Sequence, residues 1–242
     1  PNIVFVLGVD KIQLQHSIKT LYGHDMDAAG YLKRFIDREY HLPTPDVKTF
    51  ISYTIARHEL GDFFESRREL AEFRSDRDLL EAALNDLIPF FNFSLRDIEQ
   101  LVSQISIVTK VTAKDVSLFP NLLCFLLVLR MKRFSLYERI KDRTVPFDGI
   151  MNSSEIGNLA KRIHPDRERE IRACLEISES KDSDPLRILR RHYIERANGK
   201  SYVEEVQHDA VKMLDLLDSL SKYRINILDF LVKKIEISYR FN

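Results

Sequence analysis

The sequence has no tryptophan, only two cysteines, few glycines and no excess charge of either sign. Each shortage excludes something. Cys124 and Cys174 cannot make the bridge-dense framework of a small secreted domain, so a reducing compartment, the cytoplasm, is expected. The first residues also lack the charged-then-apolar pattern of a secretory leader. Seven glycines and eight prolines in 242 residues are few for a β-rich chain, which needs frequent turns, so long helices are expected. Lysine plus arginine and aspartate plus glutamate each total 37, and a neutral chain is not drawn as a whole to nucleic acid or anionic lipid. The most apolar stretch, Leu118 to Leu129, is interrupted by Pro120 and Asn121. It falls short of the ~20 residues that a membrane-spanning helix requires, so no membrane partner is expected.

What is present reads as a globular chain, 44% apolar and 31% charged. Ile3-Val4-Phe5-Val6-Leu7 is an unbroken apolar run, the pattern of a strand buried on both faces. Such a strand needs neighbours that this chain does not offer, which implies a further segment, upstream or on another chain. Leu14, Ile18 and Leu21 then recur at helical spacing, with Gly23 as the C-terminal cap. A second helix is expected over Met26 to Arg38, then a short extended piece, Glu39 to Leu42, stopped by Pro43 and Pro45. Beyond it the reading is nearly all helix. Leu70, Phe73, Leu80, Leu84, Leu87 and Ile88 keep helical intervals. Ser94 with Asp97 is a capping-box signal before the apolar face Leu95, Ile98, Leu101, Val102, Ile105 and Val108. Thr112 with Asp115 gives the same start signal before Leu122 to Met131, as do Asp184-Pro185 and Ser201 with Glu204 for two later helices. The alternation in Ile235 to Phe241 predicts a half-buried strand.

Few motifs carry chemistry. Gly199-Lys200-Ser201 ends like a phosphate-cradling loop, but Ile194 stands where the first glycine is needed and Arg190 to Arg196 reads as helix. A turn, with Gly199 closing one helix and Ser201 opening the next, is the preferred reading. No histidine or cysteine pair has metal-ligand spacing, and no nucleophile elbow is present. Six basic residues between Arg130 and Arg143 face only Glu138 and Asp142 and could touch a phosphate backbone. A solvated helix packing through Leu136, Tyr137 and Ile140 is preferred. Arg96 is the unusual one. It lies in the first turn of a well-capped helix, where a cation opposes the macrodipole at a cost of ~0.3–1 kcal/mol, and it is a candidate for an anionic partner.

Several segments together resemble the KAP family of P-loop NTPases. Val4-Phe5-Val6-Leu7-Gly8-Val9-Asp10 is similar to the strand following that family's Walker B strand. Tyr31-Leu32-Lys33-Arg34-Phe35-Ile36-Asp37, running on to Leu42-Pro43, is similar to its tyrosine–leucine–basic helix and leucine–proline strand end. Ser94-Leu95-Arg96-Asp97-Ile98 resembles the opening of its lid helix. Leu126 to Leu129 and Leu136-Tyr137-Glu138-Arg139-Ile140 resemble its helical region. The likeness covers roughly the first 140 residues. It implies a protein that binds ATP and Mg2+ and hydrolyses the nucleotide, with the Walker A and Walker B segments outside this chain. It also implies a coupling of hydrolysis to movement of a helical region, and for bacterial members a link to anti-phage defence.

The resemblance also implies roles. Asp10, at the polar end of a strand beside the phosphate loop, would orient the attacking water. Arg34 would present a basic finger to a γ-phosphate with Lys33 beside it, and Arg96 would sense the nucleotide from the lid. The expected fold is mainly α: a remnant of an α/β P-loop core with one or two parallel strands (1–45), a helical lid (46–145) and a helical tail ending in a short strand (146–242). The expected partner is the upstream NTPase half or another chain, a second copy included. Two rival readings remain open: a non-enzymatic helical module that binds a partner, and a nucleic-acid-binding effector using Arg130 to Arg143.

Overall fold

The computed structural model describes residues 7–36, 38–40, 45–154, 156, 159–179, 184–199, 204–223 and 225–240. They divide into two compact units, Pro1–Thr44 and Pro45–Asn242. The fold is mainly α, and no strand occurs among the described residues.

In the first unit, α1 (Lys11–Tyr22) starts where the Asp10 carboxylate accepts hydrogen bonds from the N–H groups of Ile12 and Gln13, at 2.9 and 3.1 Å. It ends at Gly23, whose φ of 103° suits only a residue without Cβ. α2 (Ala28–Leu32) is capped by Asp27 and is shorter than the expected helix to Arg38. Three-residue hydrogen bonds, Arg34 N–H to Tyr31 and Phe35 N–H to Leu32, tighten and close it. The core of this unit is small: Ile18, Ala28 and Leu32, with Leu14, Met26, Tyr31 and Ile36 packed against it. Leu7, Val9, Ile12, Leu21, Tyr22, Phe35 and Tyr40 stay between 52% and 87% exposed. The expected opening strand is not seen at Leu7 to Val9, which belong to no regular element, and Ile3 to Val6 lie outside the described residues. Glu39 and Tyr40 form no strand, and Leu42 lies outside.

The second unit is built around α7 (Pro120–Lys132). Every residue from Pro120 to Leu129 is buried, so this helix has no solvent face and must be enclosed. α5 (Asp76–Phe90), α6 (Leu95–Lys110), α8 (Phe134–Lys141), α10 (Pro165–Glu179) and α13 (Ile227–Ser238) enclose it. Each buried leucine or phenylalanine of α7 stabilises the fold by roughly 1.5–3 kcal/mol relative to exposure. The helix starts later than the Thr112 signal predicts. Thr112 instead donates its hydroxyl to the Val108 carbonyl, and Pro120 occupies the first turn, where its missing N–H costs nothing. Phe119 turns the chain into α7 at a φ of 47°, a strained position for a bulky side chain. Its ring packs edge-on against Tyr223 at 5.0 Å, which holds it there.

Before α5 come α3 (Val47–Arg57) and α4 (Leu60–Glu65), and a short 3-10 turn, Ala71–Phe73. α6 carries the predicted capping box, with Ser94 and Asp97 exchanging hydrogen bonds. All of its predicted apolar face is buried except Leu95, which is partly so. α9 (Phe147–Met151) links α8 to α10, and α11 (Pro185–Asn198) with α12 (Glu204–Leu220) forms a helical hairpin against α10. Asp184 caps α11 as expected and Gly199 ends it, while Ser201 lies outside the described residues. The expected strand over Ile235 to Phe241 is corrected as far as Ser238, since Ile235–Ser238 is the last turn of α13, while Phe241 lies outside the described residues. Leu228, Leu231 and Ile235 lay an apolar stripe on the core at helical spacing, and a helix satisfies its own backbone where a lone strand cannot.

One ion pair is buried in this core. The Arg67 guanidinium is 2.9 Å from the Asp76 carboxylate and 3.0 Å from the Val116 carbonyl, with the Phe73 and Phe63 rings 4.1 and 4.8 Å away. Arg67 is fully buried and its Nε and Nη1 have no hydrogen-bond partner. Burial outweighs the nearby cation and raises Asp76 from its ordinary value to about 6. The neutral acid therefore fits the fold better than the carboxylate. Its stability contribution is full below the unfolded pKa of ~3.9 and is lost as the pH rises through about 6. Arg67→Met strands the carboxylate and should cost ~3–5 kcal/mol at pH 7, whereas Arg67→Met with Asp76→Leu should recover most of that. The single variant should also regain stability between pH 7 and pH 5. Urea denaturation at both pH values checks this, and a double variant no more stable than the single one would contradict it.

Candidate functional site

Asp10, Lys33 and Arg34 belong to the first unit and Arg96 to the second. Asp10 is spent in part as a helix cap, its Oδ1 accepting from the N–H groups of Ile12 and Gln13. Lys33 and Arg34 are exposed on the turn that closes α2.

Arg96 is brought into a constellation. It is the second residue of α6 and is exposed, and α3 packs against α6. Between the two helices lies a hollow of about 510 Å3, open to solvent and lined by Arg57, His58, Arg96, Glu99, Gln100 and Ser103. Its seat is fixed from both sides. The Arg57 guanidinium pairs with Glu99 at 3.0 Å, and the Ser106 hydroxyl donates to the His58 carbonyl at 3.3 Å. Arg57 remains 60% exposed, with donors to spare beyond its one contact to Glu99. Burial, then the positive charges of Arg57 and Lys110, lowers the His58 imidazole below its ordinary range against an opposing effect of Glu99. Near neutral pH it offers one donor and one acceptor.

Arg96 itself has no hydrogen bond, ion pair or ring contact among the described residues. Arg74 is likewise exposed and without such a contact among the described residues, but many other surface arginines are paired. A second open hollow lies along α11, and its arginines are all paired: Arg187 with Asp184, Arg190 with Asp218 and Arg191 with Glu195. The region from Arg130 to Arg143 is likewise engaged within the fold. Arg130 pairs with Glu236 at 3.0 Å and lies 3.9 Å over the Tyr239 ring. Lys132 pairs with Asp97, Lys141 with Glu138 and Arg143 with Asp229, at 2.7, 2.6 and 2.7 Å. Arg133 donates to the Lys132 carbonyl, and Arg139 is also engaged. Arg130, Lys132 and Arg143 tie separate elements together, while Lys141 and Arg133 are engaged locally.

Arg57, His58, Glu99, Gln100 and Ser103 were not legible as a site. An arginine in the last turn of α3 is what the helix dipole favours anyway, and only packing of α3 on α6 brings it to Arg96. Cys124 and Cys174 are fully buried and free, and burial pushes both thiols far up, so neither is a nucleophile. No cluster of three or more His, Cys, Asp or Glu that could hold a metal occurs among the described residues. None of their helices is long and apolar enough to cross a membrane.

No protein-family model, no curated protein and no solved structure matches this chain. The likeness to KAP-family NTPases therefore rests on the sequence motifs alone.

An unpaired cation in the first turn of a helix should cost stability. Arg96→Glu, which reverses the charge against the macrodipole, should stabilise the fold by roughly 0.5–1 kcal/mol in urea denaturation at low ionic strength. Destabilisation instead would mean that the guanidinium is held by the fold.

Proposed function

We propose that this chain is a helical module that reads a phosphate-bearing ligand at the Arg57–Arg96 hollow, as the lid and tail of an ATPase resembling the KAP family. The observation that carries the reading is Arg96 itself. It is exposed, set against its helix dipole, without a partner among the described residues, and grouped with a second arginine around one hollow. An anion there would relieve the unfavourable placement and complete the donors of Arg57.

On this reading residues 1–45 belong to the end of an α/β P-loop core. Arg34 is its basic finger, with Lys33 beside it, and the second carboxylate oxygen of Asp10 faces the attacking water. The sequence carries no phosphate-cradling glycine loop, so on this reading the Walker loops, with the metal and the tight phosphate contacts, belong to polypeptide outside this chain. The exposed apolar residues from Leu7 to Tyr40 favour a covering partner for the first unit, the remainder of such a core or another chain. A link to anti-phage defence follows from the family likeness alone.

The chain by itself should show no ATP turnover above the blank and no micromolar binding of Mg-ATP by calorimetry, because it contains no phosphate-cradling glycine loop. In the complete protein, Arg96→Ala should lower ATP turnover at least about tenfold, roughly 1.4 kcal/mol of transition-state stabilisation, with the melting temperature unchanged or slightly raised. Parental turnover in that variant would remove Arg96 from the site.

A further inference from the structure

We propose that His58 makes the Arg57–Arg96 hollow selective for a doubly charged anion, by taking a proton from solvent as the ligand seats. The ligand class is then a terminal phosphate, close to doubly charged at neutral pH, in preference to a phosphodiester or a carboxylate, which carry a single charge. The inference rests on the phosphate reading of the hollow and adds what discriminates among anions.

The lining sets the charge count. Arg57 and Arg96 bring two guanidiniums, Glu99 brings one carboxylate, and Gln100 and Ser103 are neutral. With the imidazole neutral, two cations less one anion leave a single net positive charge. That matches a singly charged anion and leaves a doubly charged one unbalanced. Glu99 does not withdraw from the hollow, because Arg57 holds it at 3.0 Å. Histidine is the side chain whose charge ordinarily changes between pH 5 and 8, so a proton on His58 is the lining's own means of closing the gap.

The fold puts the imidazole where such a proton counts. His58 is the C-cap of α3, its N–H donating to the Thr54 carbonyl at 3.0 Å and its carbonyl accepting from Ser106 of α6 at 3.3 Å. A cation at a helix C-terminus is favoured by the macrodipole. Arg57 from α3, with Glu99 and Lys110 from α6, are the charges that act on the ring. Glu59 and Asp62, at the start of α4, are exposed and do not. Burial, Arg57 and Lys110 together hold the free imidazole below its ordinary range. An anion seated against Arg57 offsets the two cations and adds an attraction of its own. An opposite charge within ~4–6 Å raises the pKa of such a group by ~1–3, and the open hollow puts the effect near the lower end. The bound state then holds more protons than the free one. Affinity therefore rises as the pH falls through the neutral range, and binding and protonation strengthen each other equally.

Sulfate supplies the double charge, and methyl sulfate the single one on the same tetrahedral frame. Each is titrated into the 15N-labelled 242-residue chain at pH 5.5 and pH 8 and constant ionic strength. The amides of residues 57 and 96 and the His58 ring signals are followed. Sulfate should bind about tenfold more tightly at pH 5.5, and at saturation the His58 ring should stay protonated to a higher pH than in the free chain. Methyl sulfate should gain about threefold at most, half the charge giving half the free energy. His58→Gln should remove the gain of sulfate at pH 5.5 while leaving its affinity at pH 8, and the spectrum away from the hollow, unchanged. Equal affinity of sulfate at the two pH values, a His58 ring that titrates alike with and without sulfate, or a gain that survives His58→Gln would overturn the role of His58 while the anion site stands. If neither ion moves those amides at either pH, the phosphate reading falls, and this inference with it.

Discussion

The second unit depends on one constraint, that α7 cannot meet water. Residues Pro120 to Leu129 are buried on every side of the helix, and a helix that is apolar all round has to be enclosed. Five other helices supply the enclosure. Their polar contacts are consequences of it. Lys132 at the end of α7 ties to Asp97 in the capping box of α6, and Arg130 reaches Glu236 and Tyr239 on and just beyond α13. Asn121, at the other end, donates to Glu170 of α10 at 2.6 Å. The ends of the buried helix are pinned by charge and amide groups, and its middle by packing alone.

The same enclosure positions the candidate site. α6 lies against α7 with one face and against α3 with another, so the exposed edge between α3 and α6 is a fixed seam. Arg57 and Arg96 are carried to it from helices that cannot move independently of the core. Two arginines meet different fates in this unit. Arg67 is taken inside and given Asp76, Val116 and two aromatic rings. Arg96 is left outside with none of these. On the proposed reading, an anionic ligand would supply the balance for a charge left unpaired beside a hollow.

The helices of the second unit were legible where caps and apolar stripes agree. Ser94 with Asp97, Asp184-Pro185 and the Leu136, Tyr137 and Ile140 stripe behave as read, because these signals are local and use the backbone's own unsatisfied groups. Ile235 to Ser238 was misread as strand because two alternating isoleucines are too short a window. The helical stripe running back to Leu228 decides the outcome. Thr112 misled because a threonine hydroxyl can bond back to a carbonyl as easily as it caps. Of the site, only Arg96 could be found in advance, through its conflict with the helix dipole. Its companions are ordinary helix-surface residues until α3 docks on α6, and nothing local in the sequence encodes that docking.

Whether that seam is an anion site decides the role of Arg96. Sulfate is the direct probe, since it does not change charge across the neutral range and carries no base. Titrated into the 15N-labelled chain against sodium chloride of equal ionic strength, it should shift the amides of residues 57, 58, 96, 100 and 103 along one saturating curve, and Arg96→Ala should remove the response. A response spread evenly over the lysines and arginines of the whole chain, or an unaltered one in Arg96→Ala, would contradict the assignment.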